Sequence, residues 1–413
     1  MHRRFLRTFS GFLLIAACSM GSAAEIGTPL PPWQRGFLDI HQIATGRGNA
    51  ALIVCPDGTS IMIDAGAASG GPDVSCPPRP DGSRRPGEWI ARYALRHLRA
   101  TGKAGLDYLV VTHLHPDHLG DFTQVSPRST RGDYSLTGVT DVAELLPIGA
   151  VMDRGFPHYT YPKPWPAGFA LNYFAFIAAR QKAGDRCEQV RAGAVDQIVL
   201  RHAAAEFPSF AVRNIAVNGV VWTGQSNATQ TEVPPLRALE LADYPDENLC
   251  SVALRLSYGK FDYFTGGDLH FDTAHGTQPW RDLETPVALA TGRVEVAVAN
   301  HHAYFDAAGP EAVRALQPLA WVVPAWHITH LNIASLERML SERLYAGPRD
   351  VFVTDLMPAT RLINERFMKK VASVSGHVIV RVEPGGDSFR VFITDNRDEA
   401  DTVRSVSGPY RCR

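Results

Sequence analysis

The sequence predicts a mixed α/β chain folded as a four-layer αββα sandwich. Three observations carry that expectation. Short β-forming runs dominate near residues 37–64, 107–112, 211–224 and 249–265. From residue 294 strand and helix patterns alternate, at 294–299, 310–316, 319–324, 334–344 and 351–354. No internal repeat or low-complexity linker divides the 413 residues, whose 45% hydrophobic content suffices for one large core.

The first 24 residues stand apart from that core. Arg3, Arg4 and Arg7 precede an apolar run at 12–17, the pattern of a secretory leader too short for a stable membrane span. Two processing readings stay open: cleavage after Ser22-Ala23-Ala24, or a lipobox at Ile15-Ala16-Ala17-Cys18-Ser19 that leaves Cys18 lipidated. Both imply an exported, periplasmic protein, held at a membrane only through that lipid anchor.

Residues 25–394 form the expected domain. Its first strands are separated by the small-residue turn Gly46-Arg47-Gly48-Asn49-Ala50, and residues 70–86 read as an exposed loop. Ile90, Ala94 and Leu98 recur every four residues, which predicts a helix over 87–101. The apolar run Leu106-Asp107-Tyr108-Leu109-Val110-Val111 then meets Thr112-His113-Leu114-His115-Pro116-Asp117-His118-Leu119-Gly120-Asp121, three histidines and two carboxylates in ten residues. Imidazole and carboxylate are the usual ligands of zinc and related divalent ions. Side chains alternate along an extended segment, so His113 and His115 point the same way, and Pro116 suits the first turn of a helix.

Residues 122–246 read as an insertion, partly helical, with an aromatic middle from Phe156 to Phe176. Two readings stay open for it: a helix packing its own apolar face, or a lid and pocket wall over the metals. A strand pair follows, turning at Tyr258-Gly259-Lys260 and ending in Thr265-Gly266-Gly267-Asp268. The next strand ends in Asn300-His301-His302. A closing hairpin is predicted at 377–382 and 388–394, and residues 395–413 read as a polar, peripheral tail.

The formal charge of −1 becomes −4 without the leader, which removes three arginines and no acid. That balance disfavours a nucleic-acid surface without excluding a local basic strip, and leaves a small-molecule or cell-envelope substrate as the expected partner. Oligomeric state is not readable. Of the five cysteines past the leader, Cys76, Cys187 and Cys412 lie in loop-like or terminal stretches and are disulfide candidates, whereas Cys250 reads as a buried thiol.

The strand-THxHxDHxGD motif resembles that of the metallo-β-lactamase-fold hydrolases. The ordered matches at residues 38–66, 248–268 and 296–302 resemble the branch containing the hydrolase domain of bacterial DNA-uptake channel proteins. The resemblance implies a metallo-β-lactamase sandwich with two zinc ions, manganese or iron being alternatives. It implies His113 and His115 on one metal, Asp117 and His118 on the other, and Asp268 bridging them. The last ligand comes from His301 or His302. His301 is preferred as the first residue past the strand, and its neighbour then contacts substrate or supports the ligand. Asp64 is expected to buttress a ligand histidine, and His330 to contact substrate. The chain departs from better-known members in lacking a Gly-His-Thr context between the motif and Asp268. His158, His202 and Asp153 are the substitutes considered for that ligand.

Such a centre implies an exported metallohydrolase using metal-bound hydroxide, with Asp117 and His118 as the catalytic residues and Asp117 also the orienting base. No Gly-x-Ser-x-Gly elbow is present, and the branch resemblance points to phosphodiesters. A β-lactamase or lactonase, an iron-dependent oxidoreductase on the same fold, and a non-catalytic binding protein with a decayed site are the alternatives.

Overall fold

The computed structural model describes residues 25–123 and 125–413; the leader and its two processing readings lie outside them. In chain order come β1 (Leu38–Gln42), β2 (Ala51–Val54), β3 (Ser60–Ile63), α1 (Pro86–Leu98), β4 (Leu106–Val110) and the one-turn α2 (Pro116–Leu119). They are followed by α3 (Val139–Leu145), β5 (Ile148–Asp153), α4 (Gly168–Lys182), β6 (Arg186–Gln189), β7 (Phe210–Val217), β8 (Val220–Trp222) and β9 (Thr229–Thr231). Next are β10 (Ala253–Tyr258), β11 (Phe261–Thr265), α5 (Glu284–Thr291), β12 (Val296–Val298), α6 (Pro310–Leu316), β13 (Ala320–Val323) and α7 (Ile333–Met339). Last come β14 (Asp350–Val353), α8 (Pro358–Ile363), β15 (Val371–Ser373), β16 (His377–Val382), β17 (Ser388–Thr394) and β18 (Val403–Arg411).

These strands form two nine-stranded sheets, ordered β18-β17-β16-β1-β2-β3-β4-β5-β6 and β15-β14-β13-β12-β11-β10-β7-β8-β9. Strand alternation sorts the apolar residues into layers. In β2, Ala51 and Ile53 face the space between the sheets, where Leu254, Leu256, Val296 and Val298 of the second sheet meet them. Leu52 and Val54 face the opposite way, into a second cluster with Ile90, Ala94 and Leu98 of α1. Ala297 and Trp321 do the same on the outer face of the second sheet, packing with Val287, Val313 and Leu336 from α5, α6 and α7. Three apolar layers between two sheets and two helical coats make the αββα sandwich.

α1 forms where the four-residue period predicts it. Pro86 starts it, and the Glu88 side chain accepts from the Arg85 backbone N–H at 2.9 Å. The hairpin of β16 and β17 spans the residues expected of it.

Two expectations are corrected. Residues 122–246 are not an insertion outside the core, because β5 and β6 extend the first sheet and β7, β8 and β9 complete the second. Residues 395–413 are not a peripheral tail: β18 pairs with β17 along its length and Tyr410 stacks on Phe389. Polar side chains at an edge strand hid the pairing, since its stabilisation comes from backbone hydrogen bonds.

Candidate metal centre

The site lies where the C-terminal ends of β3 and β4 in one sheet meet those of β11 and β12 in the other. Asp64, the His113–His118 loop, Asp268 and the His301–His302 pair each follow one of these strands. A hydrogen bond from Val252 N to the Thr112 carbonyl, 2.9 Å, ties the two sheet ends together. The loop carrying Asp117 is seated on glycine. Its carbonyl accepts from Asn49 N at 2.7 Å, and a Cβ on Gly66 would fall 2.0 Å from that oxygen. Gly48 and Gly66 are therefore required for the close approach that positions Asp117.

Two groups of donors converge here: Asp117, His118, Asp268 and His302, and beside them His113, His115 and Asp268. Asp268 belongs to both. Its Oδ1 is 3.1 Å from His118 Nε2 and 3.6 Å from His302 Nε2, and its Oδ2 is 3.7 Å from His113 Nε2. His302 Nε2 is also 3.1 Å from Asp117 Oδ2, and His113 Nε2 is 3.1 Å from His115 Nδ1.

The ring orientations test whether a cation fits. His118 Nδ1 is 2.8 Å from Asp64 Oδ2, and His302 Nδ1 is 2.8 Å from the Pro324 carbonyl, so both rings donate from Nδ1. In the neutral rings the two Nε2 lone pairs would then face each other at 3.2 Å, an arrangement that a proton or a cation between them relieves. Two acceptors held that close, among carboxylates, fit a shared cation.

The electrostatics agree. Burial alone would raise the Asp117 carboxyl, but His118 and the bond and charge of His302 hold it well below the usual range. Burial is likewise outweighed at Asp268 by His118, His302 and His113. Burial would lower His118, yet Asp268, Asp64 and Asp117 raise it well above an ordinary imidazole. Three carboxylates thus crowd one buried ring, and the deficit of positive charge is met by a proton on His118 or by a metal. Burial and His118 push His113 down, which keeps its ring neutral.

Asp64 is fully buried and carries the supporting contacts. It accepts from Thr112 N at 2.7 Å, from Thr112 Oγ1 and Asn49 Nδ2 at 2.8 Å each, and from His118. His330, itself buried, stacks on His302, centroids 4.6 Å apart and planes 8° from parallel.

His301, the ligand preferred from the sequence, lies outside the cluster, and its neighbour His302 joins it. His301, His302 and Ala303 have φ of 45°, 52° and 57°, so the extended path ends abruptly after Asn300. That left-handed turn, at about 1–2 kcal/mol per residue, swings His302 into the cluster. His301 turns toward Asp306, 2.8 Å from its Nδ1. The substitutes for a third histidine also lie elsewhere. His158 is exposed, His202 sits 3.1 Å from Asp107, and Asp153 accepts from the hydroxyls of Tyr159 and Tyr173.

Glu247 and Asn248 were not singled out by the sequence, whereas Trp165 belongs to the aromatic middle read there as core or pocket wall, and its ring centroid lies 6.1 Å from that of His115. Glu247, buried and paired with Arg154, accepts from Leu114 N at 2.7 Å and so holds the loop between His113 and His115. Asn248 donates from Nδ2 to His301 Nε2 at 3.3 Å, and its buried Oδ1 has no partner. The available signal was positional: an acid and an amide directly before an apolar strand run. All five described cysteines are free, which corrects the disulfide candidates Cys76, Cys187 and Cys412; Cys250 is buried.

Residues 44–129 match the model of the metallo-beta-lactamase superfamily. No curated protein matches the chain. A crystal structure provisionally named a metal-dependent hydrolase, from Parabacteroides distasonis ATCC 8503, is 12% identical at TM-score 0.36, covering 78% of this chain and 94% of its own. A diphosphatase from the PhnP family is 11% identical at TM-score 0.34, covering 84% of this chain and 98% of its own. The matched residues 44–129 supply His113, His115, Asp117 and His118, and the two large sheets with their helices are consistent with the metallo-beta-lactamase sandwich.

Proposed function

We propose that this chain is an exported, divalent-metal-dependent hydrolase acting on phosphodiesters. The observation that carries the reading is the convergence of the Nε2 atoms of His118 and His302 on the carboxylates of Asp117 and Asp268. Asp117, His118, Asp268 and His302 would hold one cation. His113, His115 and Asp268 would hold a second, with Asp64 and Glu247 as positioning residues. When bound, a pair of divalent ions supplies an acidified water and neutralises charge on the phosphoryl oxygens.

The chain's own groups do the rest. Asp117 is the most exposed carboxylate of the cluster, 17% against 4% for Asp268, so it is the one that meets incoming water and orients it by accepting its proton. His118 and His302, whose Nε2 is 3.1 Å away, hold that carboxylate well below the usual range. Asp64 fixes the His118 tautomer, and Pro324 fixes that of His302. A thiol nucleophile is disfavoured, because burial pushes all five described cysteines up in pKa. The phosphodiester class rests on the resemblance to the DNA-uptake hydrolase branch, and export rests on the basic and apolar leader.

The test is elemental analysis of the purified protein beside turnover of bis(p-nitrophenyl) phosphate. About two zinc or manganese ions per chain with turnover is expected. Metal-loaded protein that leaves phosphodiesters intact would refute the substrate class, and a chain that takes up no divalent ion would refute the mechanism.

A further inference from the structure

Beside the His113–His115 pair lies a cavity with about 220 Å³ of solvent-accessible space. Pro162, Lys163, Trp165, Tyr244, Asp246 and Arg281 line it. Two contacts join it to the metal centre. The Trp165 ring centroid is 6.1 Å from that of His115, and Glu247, which also borders the cavity, accepts from Leu114 N between the two histidines.

The acids in this wall are already committed. Asp246 pairs with Arg281 and lies 3.4 Å from His270 Nε2, while Glu247 pairs with Arg154. What faces the space is therefore flat and donor-rich. Trp165 and Tyr244 contribute aromatic rings to the lining, Trp165 Nε1 is buried without a partner, and Lys163, also in the lining, is exposed. Such a wall suits a planar ring, which gains from stacking, with an acceptor for the indole N–H and negative charge toward the lysine. A sugar or peptide would need several acceptors in the wall, and the carboxylates that could serve are taken.

We propose that this cavity is the subsite for the part of the substrate that is not attacked, and that it binds an aromatic or heteroaromatic ring carried on the phosphate ester. The inference rests on the phosphodiester reading for the head group but not for the ring. It makes Trp165 the specificity-determining residue, stacked on the ring while the phosphate reaches the cluster around Asp268.

The experiment is calorimetric titration of the metal-loaded full chain with phenyl phosphate and methyl phosphate, and with adenosine 5′-monophosphate and ribose 5-phosphate. Each pair shares a phosphate and differs by the ring. Phenyl phosphate is expected to bind about tenfold tighter than methyl phosphate, from ring burial and stacking. Trp165→Ala should bring the two within about twofold, and Trp165→Phe should restore most of the preference. The same preference for the adenosine compound would extend the subsite to a nucleobase, and its absence would confine the subsite to small aryl groups. Equal affinity for ringed and ring-free phosphates in the parent protein, or a preference that survives Trp165→Ala, would overturn the inference. Turnover measured in parallel separates the two proposals. Phosphodiester hydrolysis without ring preference keeps the hydrolase and removes the subsite, whereas ring preference without hydrolysis does the reverse.

Discussion

Replacing Asp64 with Asn would isolate what the buried carboxylate does for the metal ligands. The exchange is nearly isosteric, and Asn tolerates the left-handed backbone that Asp64 adopts at φ 59°. One oxygen survives to accept from Thr112 N. The other becomes an amide N–H₂ facing three donors: His118 Nδ1, Thr112 Oγ1 and Asn49 Nδ2. The least costly relief is for His118 to accept at Nδ1 and carry its proton on Nε2. That proton occupies the position 3.1 Å from Asp268 Oδ1 that a cation would need. Loss of a contact that orients a ligand typically weakens metal binding about 10- to 100-fold, or about 1.4–2.7 kcal/mol. The remaining mismatch of buried donors costs about 1–3 kcal/mol, while removing one of three crowded carboxylates offsets part of it. Melting temperature of the metal-free protein is therefore a poor readout, and metal affinity a clean one. Zinc competition against a chromogenic chelator should show one of two sites weakened by at least tenfold, with the site of His113 and His115 changed by less than about threefold. Unchanged affinity at both sites would refute the reasoning, because it would mean that the Asp64–His118 contact does not set the tautomer.

Three other outcomes are expected. His302→Ala should lose one of the two metals by elemental analysis, whereas His301→Ala should keep both; the reverse pattern would restore the ligand expected from sequence. Arg154→Met strands Glu247 uncompensated in the core, and should cost about 3–5 kcal/mol in urea unfolding; a loss under 1 kcal/mol would show that the pair is solvated. Burial holds His377, fully enclosed beside Tyr93, at about 3, far below its unfolded value. The unfolded chain then binds the extra proton as pH falls from about 6.5 to 3, so stability should drop by about 1.4 kcal/mol per pH unit in that window and be fully present above it. The slope should flatten in His377→Asn, measured by denaturant midpoints at pH 7.5, 6 and 4.5.

Much of this molecule was written in local sequence. The α1 period, the β16–β17 hairpin, the αββα layering and the HxHxDH loop all follow from spacing, because strand and helix side chains repeat on fixed faces. Asp64 and Asp268 were readable for a related reason. Each directly follows an apolar strand, and strand ends at one edge of a sheet share a location. What sequence did not determine is what depends on backbone direction after a strand ends and on partners distant along the chain. Three consecutive left-handed residues make His302 rather than His301 face Asp117, and alternation gives no warning of that turn. Glu247 reaches Leu114 across 133 positions, and Trp165 reaches His115 across a stretch whose aromatic content alone reads equally as core. The edge strand β18 looked like a tail because the hydrogen bonds that hold it belong to the backbone, which every sequence has. Local chemistry chose the ligands that lie within one loop; only tertiary contact chose the residues that complete and orient them.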